Sequence, residues 1–336
     1  MAQCRAYSCL RRSVSLSDAL LPRTTPNGLL PAIHSQRRKH STTPPPPPPP
    51  HSSSSSSSSV SSAEMTHFAS LASTWWDPLG PSRILHLMNP LRHDFIASCV
   101  GQEQQQQQDQ NQKQGGLRYL DIGCGGGIFA ESLARTIPIP ATPGSKEHTS
   151  SNASSLLAID PSPVMIELAL SHARKDPMLH QHLRTGAFEY RNTSLEDLST
   201  ASDAGKFDVV TLFEVLEHVD PHHSSARAFV KRCLDLVEPG GWLVGSTIAR
   251  TMPAYVVNQV IAEAPWPIGV VPRGTHEWSK FVNPEELRGW VEGEGEGVEW
   301  RCVGAMYAPG MGWRMVPGAE SWGNYFWGIR RGGKQV

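Results

Sequence analysis

The stretch Leu120-Asp121-Ile122-Gly123-Cys124-Gly125-Gly126-Gly127-Ile128-Phe129 decides how this chain folds. Its apolar start predicts a buried strand, its glycines predict a tight turn, and the residues from Phe129 to Arg135 predict a helix. Glycine adopts positive φ easily and leaves room for a ligand to approach the backbone. The free N–H groups at the start of the following helix attract polar ligand atoms. The stretch therefore indicates a corner that binds a nucleotide or a nucleoside.

Two acidic residues indicate which ligand this corner binds. The dinucleotide fingerprint is G-x-G-x-x-G followed by an acidic residue about 20 positions on. Here the pattern is D-x-G-x-G-G, and Asp121 inside the motif disfavours a pyrophosphate and favours a cation. Asp160 ends the next apolar run, where a carboxylate accepts both ribose hydroxyls. S-adenosylmethionine, a sulfonium without phosphate, fits this pattern, and a Gly-rich turn of another α/β domain is the alternative.

The first 63 residues differ in composition from the rest of the chain. They contain seven Arg and Lys residues against one acidic residue, a balance of +6, so a net charge of −1 leaves −7 for the remainder. That acidic balance argues against a nucleic-acid partner. The Arg- and Ser-rich beginning is typical of a mitochondrial transit peptide, with a disordered basic tail as the alternative. Proline and serine runs follow, so we expect a leader and disordered linker over 1–63 and one domain over 64–336.

The remaining chain alternates predicted strands with predicted helices. Strands are expected near 118–122, 156–160, 188–191, 207–212, 242–246, 298–304 and 324–330. This alternation predicts a mostly parallel sheet with helices on both faces, which is a Rossmann-like α/β fold. Two polar segments, about 102–116 and 138–155, are expected to be surface insertions. The six cysteines show no C-x-x-C spacing, which argues against a disulfide framework or a zinc site.

Other candidate site residues follow the fourth predicted strand. Phe213 precedes Glu214, Glu217 and His218, which stand at i, i+3 and i+4 and would share one side of a helical turn. Two carboxylates and an imidazole suit a divalent cation, while an acidic, solvated helix start is the alternative. His276 is a candidate general base because imidazole titrates near neutral pH, with an ordinary surface histidine as the alternative.

The segment 252–271 is long and apolar, with Glu263 as its only acid or base. Its apolar stripe at helical spacing consists of Val256, Val257, Val260, Ile261 and Ala264. The stripe predicts either a helix that lies on a membrane surface or an ordinary core helix.

Taken in order, these motifs resemble those of the class I S-adenosylmethionine-dependent methyltransferases, and more closely the ubiquinone-biosynthesis O-methyltransferases. The segments that carry the resemblance are FASLASTWWD at 68–77, LMNPLR at 87–92, the stretches 120–130 and 207–219, and PRGTH at 272–276. The resemblance implies a seven-stranded methyltransferase domain. It implies O-methylation of polyprenylated catechols, namely a dihydroxy-polyprenylbenzoate and a demethylated ubiquinol, during ubiquinone biosynthesis.

The resemblance also assigns roles to individual residues. The contacts to S-adenosylmethionine fall on Arg92, Gly123, Asp160 and Phe213, with Arg92 on the methionine carboxylate. The metal ligands fall on Glu214, Glu217 and His218, with Mg²⁺ as the expected ion. A peripheral position on the matrix face of the mitochondrial inner membrane and membership of a ubiquinone-synthesis complex are implied as well. The alternatives are a methyltransferase for another small phenol or amine, an NAD-dependent oxidoreductase and a non-catalytic assembly subunit.

Overall fold

A mixed eight-stranded sheet forms the centre of the computed structural model, which describes residues 58–106, 116–139, 151–200, 205–265, 271, 277–292, 298–308 and 310–333. The strands are β1 (Leu117–Ile122), β2 (Ala153–Asp160), β3 (Phe188–Asn192), β4 (Phe207–Phe213), β5 (Val237–Ile248), β6 (Glu299–Ala308), β7 (Gly312–Val316) and β8 (Asn324–Arg330). Their order across the sheet is β3-β2-β1-β4-β5-β8-β6-β7. The first five of these run parallel, and β8, β6 and β7 pair antiparallel.

Helices cover both faces of this sheet. They are α1 (Ser62–Leu71), α2 (Arg83–Gln106), α3 (Ile128–Ala134), α4 (Pro163–Ala173), α5 (Pro177–Thr185), α6 (Leu195–Thr200), α7 (Ala226–Asp235), α8 (Met252–Tyr255) and α9 (Pro284–Val291). One apolar core lies under α2, α3, α4 and α5, and a second lies under α6, α7 and α9. Because both faces are covered, β1 and β4 are almost continuously buried, as central parallel strands are. The predicted Rossmann-like sheet is confirmed.

Local sequence explains where several helices begin. The Ser162 hydroxyl accepts the N–H of Met165 at the start of α4, and Pro163 occupies the first turn, where its missing N–H costs nothing. Ser225 caps α7 in the same way by accepting the N–H of Ala228. These caps fix where α4 and α7 begin, and the cap of α4 lies only two residues after the end of β2.

The sheet differs from the prediction at one edge. β7 is an eighth strand, and it forms an antiparallel hairpin with β6. It was not predicted because the sequence around it is rich in proline and glycine and shows no strand pattern. β5 begins at Val237, five residues before the predicted strand, and it continues through Gly240, whose φ is 86° and where the pairing with β4 is irregular. β2 begins at Ala153, so the insertion predicted to reach 155 ends earlier.

Among the described helices, none combines the length and hydropathy needed to cross a bilayer.

Candidate functional site

A cavity of about 320 Å³ lies at the carboxyl ends of β1, β2 and β4. Its lining includes all seven residues predicted to bind the cofactor or the metal: Arg92, Gly123, Asp160, Phe213, Glu214, Glu217 and His218. The structure therefore brings these residues together, although they come from four different segments of the chain. His276 lies outside the described residues.

The glycine turn between β1 and α3 forms the floor of this cavity. Gly123 and Gly125 have φ values of 70° and 52°, a region that side chains other than glycine rarely adopt. The indole of Trp75 covers the turn so closely that a Cβ atom on Gly126 would lie 2.5 Å from it. A Cβ on Gly123 would lie 2.7 Å from Val215, so the glycine is needed for packing as well as for ligand approach.

Asp160 connects the turn to the end of β2. One carboxylate oxygen accepts the N–H of Gly125 at 2.9 Å, and the other accepts the N–H of Ser162 at 2.8 Å. Burial raises the pKa of Asp160 to about 6, and the two backbone donors oppose that rise. Each oxygen keeps a lone pair for a further donor, so the carboxylate can also accept hydroxyl groups from a ligand in the cavity.

Asp121 lies deeper, at the end of β1. It is buried, and it accepts the hydroxyl of Thr211 at 2.7 Å. Burial raises its pKa to about 7, while Thr211 and the positive charge of Arg92 oppose the rise. A cationic ligand in the cavity would favour the ionised form of Asp121 in the same way that Arg92 does.

Arg92, in the middle of α2, supplies a buried positive charge. It donates to Asn89 at 2.9 Å, and its guanidinium lies 5.1 Å from the centre of the Phe213 ring. Burial lowers its pKa, while the charges of Glu214, Asp121 and Glu217 oppose that effect. Its Nε has no hydrogen-bond partner, and no carboxylate of the described residues forms an ion pair with it. A buried guanidinium in this state fits an anionic group such as the carboxylate of a methionine moiety.

The acidic cluster follows β4. Glu214 has a φ of 55°, one of two positive values among the described non-glycine residues, and such strain is common at functional sites. Its two oxygens accept from Ser246 at 2.6 Å and Asn324 at 3.1 Å. Glu217 is buried and accepts from Thr247 at 2.8 Å. Burial and the nearby Glu214 charge raise the pKa of Glu217 to about 8.

His218 completes the cluster and connects it to two other parts of the chain. Its Nδ1 lies 3.3 Å from a carboxylate oxygen of Glu64 in α1, and its ring packs edge-to-face on Phe68 at 4.8 Å. Burial by itself would lower the pKa of His218, but Glu64, Glu217 and Glu214 raise it above the ordinary value.

The prediction that Glu214, Glu217 and His218 share one helical turn is wrong. Glu214 is in the left-handed region, and only Leu216–His218 form a single 3₁₀ turn. A bend at Glu214 still places all three side chains in the lining of the cavity. In their present rotamers, no three His, Cys, Asp or Glu side chains of the described part converge to hold an ion. The donor set does fit a divalent cation, because the buried Glu217 and the half-buried Glu214 form no ion pair with a basic side chain of the described residues.

Sequence reasoning missed several residues of the site. Trp75 covers the glycine turn, Asn324 binds Glu214, and Glu64 contacts both His218 and Lys280. Trp75 lies in a segment that carries the family resemblance, which could have marked it as a site residue. The other contacts join residues far apart in the chain, and no local sequence pattern predicts them.

The mouth of the cavity is apolar. Val257, Ile261, Met306 and Trp322 line it and are also exposed. The neighbouring part of the predicted stripe is exposed too, with Val256 at 43% and Val260 at 53%. α8 continues as a π-helix over Val256–Ile261, and Asn258 is its buried residue. The prediction of a core helix is therefore wrong for most of the stripe.

A family model described as a methyltransferase domain matches residues 91–295. The mitochondrial ubiquinone biosynthesis O-methyltransferase of Candida albicans is 34% identical over 307 residues, which cover 81% of this chain and 85% of the relative. The mitochondrial enzyme of the same name from Schizosaccharomyces pombe is 39% identical, with coverages of 69% and 71%. The ubiquinone biosynthesis O-methyltransferase of Actinobacillus pleuropneumoniae is 35% identical, with coverages of 69% and 83%.

Proposed function

The chain belongs to the family of the ubiquinone biosynthesis O-methyltransferases, and from this premise we propose that it methylates a ring hydroxyl of polyprenylated catechols in ubiquinone biosynthesis. The observation that carries the proposal is the single cavity that joins three features. These are the glycine turn with Asp160, the cluster from Glu214 to His218, and an apolar mouth. A dinucleotide-dependent oxidoreductase would not need the second or the third.

The residues of the inner cavity would bind and orient the cofactor. When bound, S-adenosylmethionine supplies the methyl group from its sulfonium centre. Asp160 would accept the ribose hydroxyls, and the unpaired guanidinium of Arg92 would hold the methionine carboxylate. Asp121 adds negative charge beside a cationic ligand, and Phe213 packs against Arg92. Transfer would then depend mainly on the alignment of donor and acceptor, and the residues at the ends of β1, β2 and β4 would hold the donor.

A divalent cation, with Mg²⁺ as the expected ion, would be held by Glu214, Glu217 and His218. When bound, it would lower the pKa of a catechol hydroxyl, which is otherwise near 10 and a poor nucleophile at neutral pH. The support comes from charge: Glu217 is buried beside a second carboxylate, and a cation would remove the cost of ionising both. Ser246, Thr247 and Asn324 already hold the two carboxylates in place.

The apolar mouth suits the polyprenyl chain and the membrane that contains it. Val256 and Val260 lie beside the opening and are half exposed, which is costly in water unless an apolar partner covers them. We propose that this face rests on the bilayer surface as an interfacial helix does, so that the catechol head group enters the cavity from the lipid.

The cellular setting is proposed on the same footing. The Arg- and Ser-rich segment over 1–63 would direct import into mitochondria, where the named yeast relatives are placed. A peripheral position on the matrix face of the inner membrane would suit a substrate that lies in that membrane, and so would association with other enzymes of ubiquinone synthesis. Co-purification of the tagged protein with inner-membrane enzymes tests that association.

The test of the function uses protein that begins at Ser58 and labelled S-adenosylmethionine. A prenylated catechol should receive the label faster than a soluble catechol, and a soluble amine should receive none. A chelator should stop transfer but leave cofactor binding intact, and added Mg²⁺ should restore it. Equal labelling of the two catechols would contradict the proposed substrate, and full activity in chelator would contradict the proposed metal.

A further inference from the structure

Glu64 is the point where the N-terminal helix α1 touches the acidic cluster. One carboxylate oxygen lies 3.3 Å from Nδ1 of His218, and the other accepts from Nζ of Lys280 at 2.9 Å. All three side chains are shielded, with exposed fractions of 16–18%. Phe68, one helical turn further along α1, forms a T-shaped contact with the same imidazole, with the ring centres 4.8 Å apart. His218 is thus held by a charge and a ring from a helix that is distant in sequence.

This inference rests on the proposed function, and it names a residue that the family motifs considered above do not include. We propose that Glu64 is the positioning residue that prepares His218 to bind the divalent cation. The carboxylate accepts a hydrogen bond from Nδ1–H, which fixes the tautomer and leaves Nε2 as the nitrogen with a free lone pair. Lys280 donates to the other oxygen of Glu64 at 2.9 Å and so helps to orient the carboxylate toward His218.

The chemistry behind this assignment is general. A metal-binding histidine almost always donates its other ring N–H to a carboxylate or a carbonyl, because that bond orients the ring and raises its basicity. Of the groups that contact His218 in the described structure, Glu64 is the carboxylate at Nδ1. Glu214 and Glu217, the other two ligands, are held by donors from β5 and β8 instead.

The chain contains a matched control. Glu277 also pairs with Lys280, at 3.1 Å, but it is 61% exposed and forms no ion pair with His218. Glu64→Gln and Glu277→Gln therefore remove the same charge from the same lysine, and the first alone weakens the contact with His218. Glu64→Asp retains the charge on a shorter side chain, and it serves if Glu64→Gln does not fold.

The experiment measures binding of Mn²⁺, added as its chloride, to the full chain by electron spin resonance, together with S-adenosylmethionine affinity by calorimetry. Glu64→Gln should weaken Mn²⁺ binding about 10- to 100-fold, the range found for such supporting residues. Its cofactor affinity should stay within about twofold of the parent, since Glu64 does not hold the cofactor. Glu64→Asp should fall between Glu64→Gln and the parent, and Glu277→Gln should match the parent.

Two kinds of failure are distinguishable. If the parent binds Mn²⁺ and Glu64→Gln binds it equally well, Glu64 has no positioning role. The same holds if Glu64→Gln loses cofactor and Mn²⁺ affinity together, because α1 then only covers the cavity. If the parent itself binds no Mn²⁺, the cation assignment is wrong and the role of Glu64 is wrong with it.

Discussion

The carboxylate of Asp160 has to serve both the protein and the ligand. It accepts backbone N–H groups on either side of the cavity, from Gly125 and Ser162, and so it fixes the turn before any ligand arrives. The same two oxygens are those that would accept the ribose hydroxyls. Removal of the Asp160 carboxylate should therefore weaken cofactor binding in two ways, because both the ribose acceptor and the support of the glycine turn are lost.

Asp160→Ala should weaken S-adenosylmethionine binding at least tenfold, which corresponds to about 1.4 kcal/mol. The ribose loses its acceptor, and the N–H of Gly125 loses its partner. Calorimetry on protein with a normal unfolding transition measures this. Glu189→Ala, an exposed acid on the neighbouring strand β3, should bind the cofactor like the parent. Unchanged affinity in Asp160→Ala would refute the cofactor assignment.

The raised pKa of Asp121 implies that the stability of the folded protein depends on pH. Burial raises its pKa from 3.8 to about 7 in the folded state, so the folded protein binds a proton more tightly than the unfolded chain. Its contribution to stability is therefore greatest below about pH 4 and is lost as the pH rises through about 7. One such group changes the free energy of unfolding by up to about 1.4 kcal/mol per pH unit.

Asp121→Asn keeps an oxygen for the Thr211 hydroxyl but cannot titrate. The free energy of unfolding of the cofactor-free protein is measured in urea at several pH values between 4 and 7. As the pH rises, this free energy should decrease less steeply in the variant than in the parent. Asp160, with a pKa of about 6, accounts for part of the slope that persists. Identical slopes for parent and variant would mean that Asp121 is ionised throughout this range.

The segment from Met252 to Ile261 carries the prediction about the membrane. Val256→Asp combined with Val260→Asp places two charges on the exposed face without altering the residues that line the cavity. Binding to liposomes of anionic lipid should fall at least tenfold, while S-adenosylmethionine affinity stays unchanged. Met178→Asp, an exposed apolar position on α5, should bind liposomes like the parent. Undiminished binding by the double variant would place the membrane contact elsewhere.

Local sequence patterns predicted the elements with a strong apolar or glycine pattern. The strand ending at Ile122, the glycine turn and the helix α3 that follows it lie where the pattern placed them, with α3 shifted by one residue. β7 was missed because Gly310 and Gly312, both at positive φ, interrupt any strand pattern around it. The turn at Glu214 was predicted as helix because side-chain spacing reveals nothing about a strained backbone.

Contacts between distant segments were beyond local reasoning. The Lys280–Glu64 pair joins residues 216 positions apart, and the role of α1 follows from it. Even Gly123 was understood only in part: a side chain there was expected to meet the ligand, but it would first meet Val215. The seven predicted cofactor and metal residues do line one cavity, since the carboxyl ends of neighbouring parallel strands meet at one edge.

At the scale of the whole molecule, we predict that the N-terminal segment serves only for targeting and that the folded domain alone carries out methyl transfer. Ser59 is buried and its hydroxyl donates to Glu196, so packing of the described domain begins within the serine run. Protein that begins at Ser58 should therefore keep full methyl transfer in vitro. Residues 1–63 fused to a fluorescent protein should direct it to mitochondria, and replacing the seven basic residues by glutamine should leave it in the cytosol. Cytosolic fluorescence of the unaltered fusion would show that the segment is not a leader.

The most direct test of the whole account is the mass of a prenylated catechol after incubation with the protein, S-adenosylmethionine and Mg²⁺. We predict a product heavier by one methyl group, carried on a ring oxygen. Asp160→Ala should yield little of it because cofactor binding is weak. Glu217→Gln should yield little despite normal cofactor binding, because the cation site is impaired. An unmodified catechol with the parent protein, or full methylation by Glu217→Gln, would contradict the account.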